Sequence, residues 1–256
     1  MTETIRLTNV DKRFRAKHAV KDVSLSVKKG ELFCFLGPNG SGKTTTIKMM
    51  TGLLEPTDGA IELVGIDVLK EPLKAKKQIA YVPDQPLVYA KLTGREYLEF
   101  IASVYGVEQE VFETRMKKYT ELFSLTGRLD EYAGEYSHGM KQKLSLCAAL
   151  IHMPDILFLD EPTVGLDPKS ARTMKNLLRQ LCDEGMTIFM STHILEIAEQ
   201  MCDRVGIIKD GELITVATME ELKRESGGDS TLEDIFLDLT GDEEAQLLAS
   251  SMKEEQ

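Results

Sequence analysis

The chain has 256 residues, enough for one large domain or two small ones, so a staple-dependent miniprotein is excluded. Forty-two acidic against 31 basic residues leave a formal net charge of −11, which disfavours broad attraction to nucleic acid or to an anionic lipid surface; any polyanion must be gripped locally. Hydrophobic residues at 42% and charged residues at 29% lie near the globular average and far from the composition of a disordered chain.

Residues 5–10, 19–27 and 32–36 carry apolar side chains in strand-length pieces, with Lys28-Lys29-Gly30 as a turn, so the first 36 residues read as β-rich. A glycine-rich segment, 37–42, precedes a helix predicted over 43–54, which the turn chemistry of Glu55-Pro56-Thr57-Asp58-Gly59 ends. Strands are predicted over 60–63 and 78–82. Apolar Tyr97, Leu98, Ile101, Ala102 and Tyr105 then recur at helical spacing, and 107–123 continues in an amphipathic pattern, so a helical block runs from about 93 to 124. A further helix begins near Ser137. From Ile156 strands and helices alternate, over 156–159, 169–183, 187–190, 194–201 and 204–209, which argues for an α/β parallel sheet with a helical insertion. Residues 241–256 are polar and Glu-rich and are expected to fray.

Cys34, Cys147, Cys182 and Cys202 form no CxxC pair or Cys/His cluster, which fits reduced, buried thiols in a cytoplasmic protein better than disulfides or zinc. The opening residues have no basic stretch followed by an apolar one, so they do not read as a secretory signal. The longest apolar runs fall far short of a bilayer span, so work at a membrane requires another chain to cross it.

Gly37-Pro38-Asn39-Gly40-Ser41-Gly42-Lys43-Thr44 matches GxxxxGK[ST] and sits between an apolar strand and a helix, where phosphate chemistry requires it. The glycines let backbone N–H groups converge on phosphate oxygens, the helix N-terminus adds the positive end of a dipole, and Lys43 reaches the outer phosphates. Thr44 places a hydroxyl on Mg²⁺, and Thr45 joins the same ATP-binding set. Ile156-Leu157-Phe158-Leu159 delivers Asp160 and Glu161 to a strand's C-terminal end. There Asp160 is assigned to the metal and Glu161 to the general base that polarises the attacking water.

Tyr136-Ser137-His138-Gly139-Met140-Lys141-Gln142 resembles the signature of the ATP-binding cassette (ABC) family, usually LSGGQ, with Tyr136, His138 and Met140 as departures. The order of motifs strengthens the match: phosphate loop, helical insertion, signature, Asp-Glu strand, Gly165-Leu166-Asp167, then His193 after a strand. Together they resemble an ABC ATPase over residues 1 to about 216. The resemblance implies a P-loop NTPase α/β core with an N-terminal antiparallel β subdomain and an α-helical subdomain inserted at about 84–152. The ATPase domain then covers 1–225 and a C-terminal helical tail covers 226–256.

It further implies a head-to-tail dimer, of the chain with itself or with a paralogous ATPase, in which Ser137 and Gly139 of one copy close over ATP and Mg²⁺ held by the other. Asp167 belongs to the same nucleotide site by resemblance, His193 to the contact with the γ-phosphate and the catalytic water, and Phe14 to stacking on adenine. The family places Gln directly after a Tyr-x-Pro turn, to touch Mg²⁺ and water. Here Tyr81-Val82-Pro83 is followed by Asp84 and then Gln85; register favours Asp84, and Gln85 stays open.

The stretch 231–240 resembles a tail of bacterial ABC ATPases that serve small exporters as separate chains. Its Leu232, Ile235, Phe236 and Leu239 fall at helical spacing, as a docked helix requires. The expected partner is an integral membrane permease, met through Pro86-Leu87-Val88-Tyr89, with the chain held peripherally at the cytoplasmic face of the membrane. The competing reading is a soluble ABC ATPase acting on ribosomes or nucleic acid. A single cassette without a coiled-coil insert, and the acidic balance, speak against it, so no nucleic acid is expected.

Overall fold

The computed structural model describes residues 2–225 and 231–241. Of the tail expected at 226–256, residues 226–230 and 242–256 lie outside the described residues, and with them nearly all of the stretch expected to fray.

Strands β1 (Glu3–Phe14) and β2 (Lys17–Lys28) form a long antiparallel hairpin. Ile5, Leu7, Val10, Val20, Val23, Leu25 and Val27 point inward and are buried, the pattern of a sheet with one face on the core. β3 (Leu32–Leu36) is buried at every position, as a strand covered on both faces must be. α1 (Lys43–Met50) follows, and β4 (Asp58–Leu63) and β5 (Ile66–Asp67) extend the hairpin into a four-stranded sheet of order β2-β1-β4-β5.

After α2 (Pro72–Lys77) and β6 (Ile79–Val82) the chain leaves the sheets for α3 (Gly94–Tyr105), α4 (Gln109–Leu122) and α5 (His138–Ile151). It returns through β7 (Ile156–Asp160), α6 (Pro168–Asp183), β8 (Thr187–Thr192), α7 (Leu195–Met201), β9 (Arg204–Lys209) and β10 (Glu212–Ala217). α8 (Met219–Glu225) and α9 (Leu232–Thr240) close the described chain. Leu232 and Ile235 of α9 are buried and Phe236 is half-covered, whereas Leu239 remains exposed, so α9 docks through its first turns.

The second sheet has the order β10-β9-β3-β8-β7-β6, parallel except for β10. This order fixes the site. β3, β8 and β7 are neighbours and run the same way, so the loops after Leu36, Thr192 and Asp160 leave one sheet edge side by side. The aromatic core behind that edge stacks Phe33 on Phe189 at 5.3 Å, with Phe158 at 5.9 Å from Phe189 and Ile47, Met49 and Met50 of α1 packed over them.

The helical block is two helices, matching the successive amphipathic patterns read over 93–105 and 107–123. Gly106 adopts φ +66° and caps α3, so α4 starts afresh at Gln109. The helix expected over 43–54 stops at Met50 because Gly52 turns left-handed at φ +65°. α2, β10 and α8 carried no sequence signal: α2 buries only Ala75, and β10 is a half-exposed edge. Among the described residues no helix is long and apolar enough to cross a membrane.

Phe189 joins the aromatic layer beneath all three loops. Phe189→Ala is expected to lower unfolding free energy by about 3–5 kcal/mol, read from urea midpoints; a loss below about 1 kcal/mol contradicts this packing.

Candidate nucleotide site

The loop between β3 and α1 is shaped for close backbone approach. A Cβ on Gly37 would lie 2.3 Å from the Ile208 carbonyl oxygen and 2.6 Å from Ser41 Oγ, so no side chain fits there. Gly42 holds φ +112° as the N-cap of α1 and offers no side-chain cap, leaving the first-turn amides of α1 open to an anion. Lys43 curls back over this loop: its Nζ donates to the Gly37 carbonyl at 2.7 Å and the Pro38 carbonyl at 3.1 Å. The side chain is buried, which lowers its pKa, while the carboxylates of Glu161 and Asp160 push the other way. Glu161 Oε1 lies 4.0 Å from the ammonium.

Two acids stand at the end of β7, in different settings. Asp160 is buried; its Oδ1 accepts a short hydrogen bond from Ser191 Oγ, and its Oδ2 has no partner. A buried carboxylate oxygen without a donor fits a cation. Glu161 adopts φ +49°, a left-handed conformation costing a non-glycine residue about 1–2 kcal/mol, as its amide donates to the Ser191 carbonyl at 3.0 Å. Its carboxylate is held from both sides: Thr192 Oγ1 donates to Oε2 at 3.1 Å, and His193 Nδ1 lies 2.9 Å from Oε1.

Thr44, Tyr81, Asp84 and Gln85 line one cleft of about 440 Å³ between α1, β6, α3 and α5. Asp84 accepts from the Gln85 amide at 2.7 Å. The Tyr81 hydroxyl is buried, and burial together with the charges of Asp160 and Asp84 and its interaction with the Asp160 side chain raises its pKa, keeping it a donor. Thr44, Asp84 and Gln85 bring hard oxygens to this cleft, and Asp160 offers its free Oδ2 at the neighbouring strand end, donor types that suit Mg²⁺. Among the described residues no group of three or more His, Cys, Asp or Glu could hold a metal by itself.

Ser137, Gly139 and Asp167 form a second group. Ser137 Oγ caps α5 by accepting from the Met140 amide at 3.3 Å. A Cβ on Gly139 would lie 3.1 Å from the Gly165 carbonyl oxygen, and the His138 ring packs on Gly165. Asp167 caps α6: it accepts from the Ser170 amide at 2.9 Å and Ser170 Oγ at 2.5 Å, and pairs with Lys143 at 3.3 Å. These bonds, Ser170's first, hold its carboxyl well below the usual carboxylate range. Phe14 sits at the end of β1, 44% exposed, with Lys12 Nζ 5.1 Å from the ring centroid. Sequence reasoning missed Ser191 and Thr192, which clamp the two acids; two hydroxyls ending an apolar strand beside the Asp-Glu strand were the available signal.

A family model for ABC transporter matches residues 20–164. The chain belongs to the ABC transporter family. It is 39% identical over 245 residues to the linearmycin resistance ATP-binding protein LnrL of Bacillus subtilis (strain 168), covering 96% of this chain and 78% of that one. Its fold matches an ATP-binding subunit of an ABC transporter with TM-score 0.89 and 32% identity, over 93% of this chain and 99% of that one. It also matches the dimeric post-hydrolysis state of the ATP-binding cassette MJ0796 bound to ADP and Pi, with TM-score 0.78 and 27% identity, over 84% and 98%. This family member is an ATP-binding subunit that hydrolyses ATP.

Lys43→Ala removes the buried cation of the phosphate loop, and its charge-assisted bonds correspond to a loss of ATP affinity of about 10- to 100-fold. Titration with a fluorescent ATP analogue measures this; an unchanged affinity contradicts the role of Lys43.

Proposed function

We propose that this ABC ATPase is the motor subunit of an exporter, dimerising head to tail around two Mg-ATP and driving a separate membrane permease from the cytoplasmic face. One observation carries the reading. Lys43, Asp160, Glu161 and His193 converge at one sheet edge, and Ser137 at the start of α5 is exposed, free to meet a nucleotide held by a second copy. A closed interface of this kind suits the dimeric cassette to which the chain is similar.

In this reading the amides of residues 37–45 and the Lys43 ammonium hold the phosphates, and Phe14 offers its exposed ring to adenine. Thr44, Asp160 and Asp84 or Gln85 hold the magnesium ion, which when bound neutralises phosphate charge. Glu161 accepts a proton from the attacking water, and His193, 2.9 Å from its Oε1, fixes the carboxylate and faces the γ end. Thr192 holds the other carboxylate oxygen, so the base is oriented before substrate arrives. Ser137 and Gly139 of the second copy present the start of α5 to the γ-phosphate. Loss of that phosphate removes the shared ligand, and the two copies part.

The exporter reading is supported by the likeness to a resistance ATP-binding protein and by the docked α9. Leu87 and Tyr89, 79% and 57% exposed beside the 440 Å³ cleft, offer the permease an apolar contact.

Glu161→Gln is expected to abolish turnover while ATP drives a stable dimer, seen as a doubling of mass by light scattering. Hydrolysis near the wild-type rate refutes Glu161 as base, and a monomer under saturating ATP refutes the dimer.

A further inference from the structure

Tyr81 takes no part in the mechanism above, yet its setting is specific. On β6 it pairs in parallel register with Phe158 of β7, so Asp160, two residues beyond Phe158, stands on the same sheet face, one step nearer the C-terminal edge. The Tyr81 hydroxyl and Asp160 Oδ2 are both buried, no third group satisfies either of them, and the hydroxyl lies close enough to Asp160 to interact with it. One is a donor and the other an acceptor. Asp160 Oδ1 is already taken by Ser191, so Oδ2 alone is left to ligate. Thr44 lines the same cleft as Tyr81.

We propose that Tyr81 is a positioning residue for the divalent cation that accompanies ATP, its hydroxyl donating to Asp160 Oδ2 directly or through a cation-bound water. Ser191 and Tyr81 then hold the two oxygens of one carboxylate, and its plane is fixed before the cation arrives. The benzene ring packs with the aromatic side of the core, so the hydroxyl has a rigid mount. Tyr81 touches neither the reacting water nor the γ-phosphate in this account. The inference rests on the reading of Asp160 as cation ligand, and its test separates the two.

The probe is Mn²⁺, titrated by electron paramagnetic resonance into Glu161→Gln protein carrying bound ATP and freed of excess nucleotide. Adding Tyr81→Phe is expected to weaken Mn²⁺ binding about tenfold. ATP affinity in EDTA and the thermal midpoint should stay at the parent values, because only the hydroxyl is removed. Asp160→Asn should weaken Mn²⁺ binding further, and Tyr81→Phe placed on top of it should add nothing. Unchanged Mn²⁺ affinity in Tyr81→Phe, with a loss in Asp160→Asn, overturns the role of Tyr81 and leaves Asp160 standing. A Tyr81→Phe effect that appears equally on ATP affinity in EDTA also overturns it, as a general packing defect. Unchanged Mn²⁺ affinity in Asp160→Asn overturns the underlying reading itself.

Discussion

A buried ammonium facing two carboxylates at the end of a parallel sheet is the constraint from which the rest follows. Lys43 is desolvated, and its nearest charge is Glu161 at 4.0 Å. Burial favours loss of its proton, and the carboxylates of Glu161 and Asp160 work against that loss. The arrangement is poised for a triphosphate, because an incoming polyanion supplies what the ammonium lacks. In a chain of net charge −11 no general attraction brings that polyanion in. The grip has to come from main-chain amides, hence from a loop where Gly37 cannot carry a side chain.

The same edge explains why the two acids differ. Asp160 ends β7 in register with Ser191 and is buried, with one oxygen spoken for and one free. Glu161 is turned left-handed at the very next residue, where Thr192 and His193 of the adjacent strand end take its carboxylate. Neighbouring carboxylates thus receive separate surroundings through one backbone reversal. The turn that begins there runs on to Gly165, on which His138 packs, and Gln142 donates to the Pro162 carbonyl at 3.5 Å. α5 and Glu161 therefore share a mechanical support within one chain.

Much of this was legible from the residues. The phosphate loop and the Asp-Glu strand end announce themselves because their chemistry is local: consecutive amides, a helix start, an apolar strand delivering acids. The alternation from Ile156 onward identified the parallel sheet for the same reason, since each element carries its own period. What could not be read depends on contacts across the chain or on backbone detail. The Ser191 and Thr192 clamps join residues 31 apart. The left-handed Glu161 has no compositional mark, and α2 and β10 bury too little to leave a period.

The claim at the centre of this account is that each nucleotide is gripped by one copy and sealed by the other. Mixing Lys43→Ala protomers with Ser137→Arg protomers tests it most directly. Each variant alone is damaged in both of its composite sites, whereas a head-to-tail heterodimer contains one intact site beside one doubly damaged site. The account predicts that the mixture regains ATPase activity, up to about a quarter of wild type when pairing is random. A mixture no more active than the two variants measured separately would contradict it.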